Sequence, residues 1–224
     1  ERELDAYFAA FVLPDTIFQL LILGALSAAF IPVFTEYLKK NKEEAWHIAG
    51  ASMTSIFILF STISAVLFLF AEPASRMLAP NFSPEQILLT ANLTRIMLGA
   101  QFFFALSAFM TGILQSHHRF LLPAIAPIFY NLGIIAGILL FTPVVGIYGA
   151  AIGVVFGAML HMVIQLPLAV KLGYRPRPVF DLTHPAVARI KRLMPARAAT
   201  LAIDQFERVI AVTLASALSA GSLT

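Results

Sequence analysis

This sequence predicts an all-α fold, a polytopic transmembrane helical bundle of about six spans, and three observations predict it. Hydrophobic residues make up 59% of the chain and charged residues 12%, with a mean hydropathy of +0.86. That leaves too little polar surface to cover a globule in water, so the solvent is mostly lipid. Nearly uncharged stretches recur along the chain, each long enough to cross a hydrocarbon layer of about 30 Å at about 1.5 Å per residue. The charges collect in short segments between them. The chain has no cysteine, which excludes a disulfide framework, thiolate catalysis and cysteine-ligated metal. The net charge is +3, and its placement matters more than its size.

The first element covers residues 5–37, too apolar for a soluble surface and too long for a core helix. It would run roughly 50 Å, so it must tilt, bend or project. Pro14 is the expected helix break, because proline removes a backbone donor and clashes with the preceding turn. In lipid such a break survives only where other helices, polar side chains or a wet cavity satisfy the freed carbonyl. Asp5, Asp15 and Gln19 flank it. Two readings follow: a broken helix lining a cavity, or a structural kink whose carboxylates sit at the water interface.

A polar loop with Lys39, Lys40 and Lys42 leads into an uncharged second span over 45–71. Residues 72–85, rich in Pro, Asn and Ser, form a turn region with a short surface helix near 74–78. Ser83, followed by Pro84 and Glu85, suits a helix start, with proline in the first turn and a carboxylate favoured by the helix dipole. The third span covers 86–115 and contains one charge, Arg95. After the loop 116–119, about fifty uncharged residues exceed one crossing. Thr142, Pro143 and Gly146 divide them into a hairpin of two spans, 122–141 and 147–170. The basic segment 171–193 ends in a short interfacial helix, with Val187, Ile190 and Leu193 on one face. The last span covers 195–220. No fixed short repeat is present, which argues against a solenoid.

Alternating spans place Lys39, Lys40, Lys42, Arg119, Lys171, Arg175, Arg177, Arg189, Lys191, Arg192 and Arg197 on one side and only Arg2 and Arg76 on the other. By the positive-inside rule the first side is cytoplasmic. The chain opens without an initiator Met or a signal peptide pattern and stops where a membrane helix reaches its boundary, so it is expected to be part of something longer.

This topology strands Arg95, Asp204, Glu207 and Arg208 in or near the bilayer. An ionised side chain at mid-bilayer costs roughly 2.5 to 3.5 kcal/mol on insertion scales, so each needs a partner, a wet cavity or a snorkelling route. Asp204 and Arg208 stand i, i+4 and can pair along their own helix. With Thr200 and Glu207 they form a polar stripe, either self-neutralised and structural or a substrate or ion site. Arg95 divides between structural pairing or snorkelling and anion binding. For Asn92, Gln101, Asn131, His161 and Gln165, hydrogen bonds between helices explain most such residues, and a transport path explains the rest.

Catalytic signatures are missing: there is no nucleophile elbow, HExxH, carboxylate cluster, Gly-rich phosphate loop or metal spacing. No metal or cofactor is expected beyond a coupling ion. The basic residues lie in short loops without interleaved aromatics, which argues against nucleic acid. Polar groups buried between helices in a polytopic bundle favour transport.

The runs DAYFAAFVLPD, GALSAAFIPVFTEY, ILQSHHRFLLPAIAPIFYN and LASALSAGS resemble, in order and spacing, the MurJ/MviN lipid II flippase family of the multidrug/oligosaccharidyl-lipid/polysaccharide exporter superfamily. The resemblance covers the chain and about the first half of such a protein. It implies a two-lobed exporter fold of fourteen helices, with residues 1–194 in the first lobe and 195–224 opening the second. It further implies a bacterial cytoplasmic (inner) membrane location and a cavity alternating between the two sides. The implied substrate is a polyprenyl-pyrophosphate-linked glycan, the implied drive is the membrane potential or an ion gradient, and the implied company is cell-wall synthesis proteins. Asp5, Pro14, Arg119 in its cytoplasmic loop and Asn131 match the family's motifs. Members usually carry an arginine pair after the LPN break and an acidic residue before the GAF motif, whereas this chain has Phe18, Gln19 and Leu23. Arg95 matches a position that is often basic.

The expected function is a flippase for a lipid II-like precursor, with Asp5, Gln19, Arg95, Asn131, Asp204, Glu207 and Arg208 as cavity candidates. Its rivals are an exporter of another lipid-linked oligosaccharide or small molecule, and a membrane scaffold that transports nothing.

Overall fold

The computed structural model describes residues 1–23 and 29–218. The start of the GALSAAF motif at 24–28, the end of the LASALSAGS motif from 219 and the Arg197 side chain lie outside that description. Among the described residues the fold is helical and has no strand. Five segments are long and apolar enough to cross a bilayer: Arg2–Leu23, Lys42–Leu69, Pro84–Ser116, Leu121–Val145 and Ile147–Leu172.

The first segment corrects an expectation. Helix α1 (Arg2–Phe18) continues as α-helix through Pro14, and among the described residues the backbone takes up π-helical geometry at Gln19–Leu23 and again at 29–30. The carbonyl that Pro14 leaves without its usual donor is that of Ala10, and Thr94 from a neighbouring helix donates its hydroxyl to it at 3.4 Å. A polar side chain therefore supplies what the proline withholds, and no break is needed. Helix α2 (Ile31–Lys40) buries Val33 and Phe34.

Helix α3 (Lys42–Leu69) starts where Asn41 Oδ1 accepts the backbone N–H groups of Glu43 and Glu44. Helix α4 (Ala71–Leu78) is the expected surface helix. Helix α5 (Pro84–Ser116) opens with a capping box, Ser83 receiving the Gln86 N–H and Gln86 returning its amide oxygen to Ser83, at the start its sequence predicts. It ends with His118 in the left-handed region and Arg119 N–H bonded to the Leu114 carbonyl at 2.8 Å, a Schellman closure.

Helices α6 (Leu121–Val145) and α7 (Ile147–Val163) form the predicted hairpin, turning at Gly146 with φ +59°. Their contact has no room for side chains: a Cβ on Gly133 or Gly137 would collide with the backbone of Gly157 or Gly153. Small residues let apolar helices approach closely where lipid offers no hydrophobic drive. Helix α8 (Leu166–Leu172) completes that crossing.

Helix α9 (Pro185–Ala215) corrects a second expectation. The interfacial helix and the last span are one helix of 31 residues with Pro195 inside. Ala186, Val187 and Ile190 are buried as the amphipathic pattern predicts, while Leu193 is exposed. Charges along α9 keep its described part out of the apolar set above.

Helix α5 is the central column. One buried cluster joins Phe30, Phe34, Ile48, Phe60, Phe109 and Ile190, and a second joins Tyr7, Leu93, Met97, Ala151 and Val154. At one end Glu36 accepts from Lys40 at 2.7 Å and Arg189 at 3.0 Å, and His47 meets Asp181 at 2.8 Å. At the other end Gln86 donates to the Arg2 carbonyl, Thr213 to the Leu78 carbonyl and Asn81 to Ser216. The two groups of contacts fall on opposite ends of the helices, as alternation of the spans requires.

Candidate functional site

Between those ends α1 and α9 meet through polar side chains. Asp15 Oδ2 accepts from Gln19 Nε2 at 2.7 Å and from Arg208 Nη1 at 2.9 Å. Gln19 therefore turns its amide oxygen to α9, where Gln205 Nε2 donates to it at 2.9 Å. The charge of Asp15 thus sets the orientation of both amides. Thr16 Oγ1 lies 2.7 Å from the Val12 carbonyl and 3.3 Å from Gln205 Oε1. With one hydroxyl proton to give, it serves the nearer carbonyl, and the Gln205 oxygen takes the weaker share. Gln205 is buried at 3% exposure. Counted along α9, it lies about 24 Å from Arg189 and about 16 Å from Ser216, well inside the bilayer.

The π-helical turn also borders a cleft, through Leu23. Phe18, Leu23, Ile31, Phe104, Thr111 and His161 are among the residues that line a space of about 430 Å³. Two of its lining residues, Thr111 and His161, belong to a second network behind the wall: Ser107 Oγ bonds His161 Nδ1 and receives Gln165 Nε2, both at 2.7 Å, and Thr111 donates to Gln165 Oε1 at 2.8 Å. Gln165 is fully buried. His161 and Gln165 thus make the hydrogen bonds between helices that their sequence positions suggest, with α5 as partner. Phe18 and Leu23, two of the three positions where the family resemblance leads one to expect charge, present apolar groups to this cleft.

Of the residues singled out from sequence, the structure brings together Gln19 and Arg208, along with Asp15. Arg208 takes Asp15 rather than Asp204 as its ionic partner, at 2.9 Å, which corrects the expected pair within α9. Asp204, Glu207 and Thr200 are exposed along that helix, Asp204 one turn before Arg208. Asp5 is buried in the first turn of α1, where unpaired N–H groups favour a carboxylate. Arg95 lies against the last turn of α3, Asn131 is exposed on α6, and Arg119 is exposed in the turn after α5. Sequence reasoning missed Gln205, Thr16, Ser107 and Thr111. Gln205 carried a signal, an amide inside an otherwise membrane-compatible run beside Asp204.

The family model described as Lipid II flippase MurJ matches residues 2–224. The probable lipid II flippase MurJ of Buchnera aphidicola subsp. Acyrthosiphon pisum is 30% identical over 227 residues, covering 98% of this chain and 44% of that protein. The lipid II flippase MurJ of Burkholderia cenocepacia is 27% identical over 229 residues, covering 98% and 44%. A solved structure titled lipid II flippase MurJ, inward closed conformation, superposes with a TM-score of 0.82 at 25% identity, covering 100% of this chain and 46% of that one. The chain thus spans less than half the length of the curated relatives it matches. A match along almost the whole sequence, together with the shared helical fold, shows that this chain belongs to the lipid II flippase MurJ family.

Proposed function

We propose that this chain forms one lobe, and the start of a second, of a flippase in the bacterial cytoplasmic membrane. It moves a lipid II-like peptidoglycan precursor from the inner to the outer leaflet by alternating access. The observation that carries this reading is the mid-depth network of Asp15, Gln19, Gln205 and Arg208 between α1 and α9. Ionic groups kept inside a bilayer at this cost belong to a path for something polar. Among the described residues Arg208 is held by a single carboxylate, and it is well exposed, so an anionic headgroup can compete with Asp15 for it. The exposed face carrying Asp204 and Glu207 continues the polar route along α9. Asp5, Arg95 and Asn131 stand away from that route. Residues 1–194 form the first lobe and α9 carries the chain into the second, with the membrane potential or an ion gradient as the drive and cell-wall synthesis proteins as neighbours.

The apolar Phe18 and Leu23 in the cleft favour one rival: an exporter of the same superfamily that carries a lipid-linked oligosaccharide demanding fewer cations. Depleting the protein in its own bacterium and following inner-leaflet intermediates separates the readings. Accumulated lipid II supports the first, accumulation of another lipid-linked glycan supports the rival, and no accumulation contradicts both.

A further inference from the structure

Arg95 stands in a membrane-spanning helix, and among the described residues it forms no ion pair. Among the described residues its polar partners are neutral: Nε donates to the Phe68 carbonyl at 3.2 Å and Nη1 to Asn92 Oδ1 at 2.8 Å. Its guanidinium also lies 5.8 Å from the centre of the Phe68 ring. Arg76, Arg189 and Arg208 each have a carboxylate. A guanidinium has five N–H donors, so Arg95 keeps unspent donors along with an uncompensated charge. The Phe68 carbonyl belongs to the last turn of α3, whose dipole supplies only about half an elementary charge.

The space beside it suits one kind of counterion. Ser61, Ser64, Phe68, Arg95, Gly99 and Phe102 are among the residues that line a cleft of about 410 Å³ between α3 and α5. Gly99 lies one turn from Arg95, and among the described residues a Cβ there would meet nothing within 4 Å. Glycine is unfavourable in mid-helix, and no close backbone approach calls for it here. Its effect is to leave room below the guanidinium. Among the described residues, the Ser64 hydroxyl in that lining is buried with no hydrogen-bond partner. The end of α3 marks the bilayer boundary away from the basic loops, which the positive-inside rule makes the outer leaflet. A lone cation at headgroup depth above an apolar slot matches an amphiphile with an anionic head.

We propose that this cleft seats a membrane phospholipid, its phosphodiester on Arg95 and one acyl chain running past Gly99 toward Phe102. The site is independent of the transport route along α9. The experiment uses the full-length purified protein and native mass spectrometry with phosphatidylglycerol, with diacylglycerol of the same chains and with inorganic phosphate. A phosphatidylglycerol bearing a photoreactive acyl chain then maps the contact. The expected results are retention of phosphatidylglycerol about tenfold above diacylglycerol, the size of a lost charge-assisted bond, and crosslinks to α3 and α5 around 61–69 and 98–102. Arg95→Gln weakens retention to a similar degree, and Gly99→Leu, which fills the slot and leaves the charge, weakens it too. Equal retention of diacylglycerol, displacement of the lipid by millimolar phosphate, or unchanged retention in both variants would overturn the proposal. If Arg95→Gln fails to fold, the position of the crosslinks on the parent protein still decides it.

Discussion

Pro14 and Thr94 form a pair that neither residue announces alone. Proline inside a helix leaves the Ala10 carbonyl without its backbone donor, and the Thr94 hydroxyl takes the place of that donor in a buried setting. Thr94→Val should therefore cost about 1 to 2 kcal/mol, the penalty of an unsatisfied buried acceptor, measured by thermal unfolding in detergent. In a Pro14→Ala background, where the backbone bond is restored, the same change should cost close to nothing. An equal cost in both backgrounds would show that Thr94 does not serve that carbonyl. Arg208 gives the same lesson. Its i, i+4 spacing from Asp204 permits a pair worth only a few tenths of a kcal/mol, whereas Asp15 offers a carboxylate already oriented by Gln19. The ionisable residues were legible in the sequence. Their partners were not, because partner choice depends on how α1 and α9 are rotated against each other.

Elements were legible where a local signal fixes them. Ser83 with Gln86 starts α5, Gly146 turns the hairpin, and Val187 and Ile190 give the buried face of α9. Two backbone features escaped, both at prolines. The irregular turn falls at Gln19–Leu23 instead of Pro14, and α9 continues through Pro195. The carbonyl that Pro195 deprives of a donor belongs to Lys191, an exposed residue, so water or headgroups can satisfy it and the helix need not stop. The segment from α8 to α9 is tied to α3 by His47 with Asp181 and by the Val179 N–H to Thr54 Oγ1 at 3.0 Å. His47 first, then Thr183, pull the Asp181 carboxyl from its ordinary 3.8 down to about 2. A depressed carboxyl stabilises its bound state above the unfolded value, and that contribution disappears as pH falls through the folded one. Docking of 179–184 should then hold above pH 3.8 and fail progressively toward pH 2, as followed by amide exchange across the segment. Asp181→Asn should exchange fast already at neutral pH. Identical exchange in parent and variant across that window would remove Asp181 as the fastener.

For the whole molecule, α9 is joined to the bundle at three depths: ionic contacts at Glu36, the polar network at Asp15 and Gln19, and hydrogen bonds to Leu78 and Asn81. Polar contacts of this kind can be exchanged for water or substrate, whereas the glycine-packed α6 and α7 have nothing to exchange. On the proposed alternating-access reading, a helix held this way suits the moving side and a closely packed hairpin suits the frame. Composition made the membrane bundle legible, and motif order made the family legible. The apolar Phe18 and Leu23 in the cleft became meaningful only once the fold put them beside His161. The central claim is that the route between α1 and α9 is wet and opens to either side in turn. Residues 1–224 contain no cysteine, so single cysteines placed in a cysteine-free full-length protein test it directly. Gln19→Cys and Glu207→Cys should react with a membrane-impermeant maleimide, with access from one face falling as access from the other rises, while Leu139→Cys, at 69% exposure on an apolar surface, should stay unlabelled. Cysteines at 19 and 207 as inert as the one at 139, from both faces, would contradict the account.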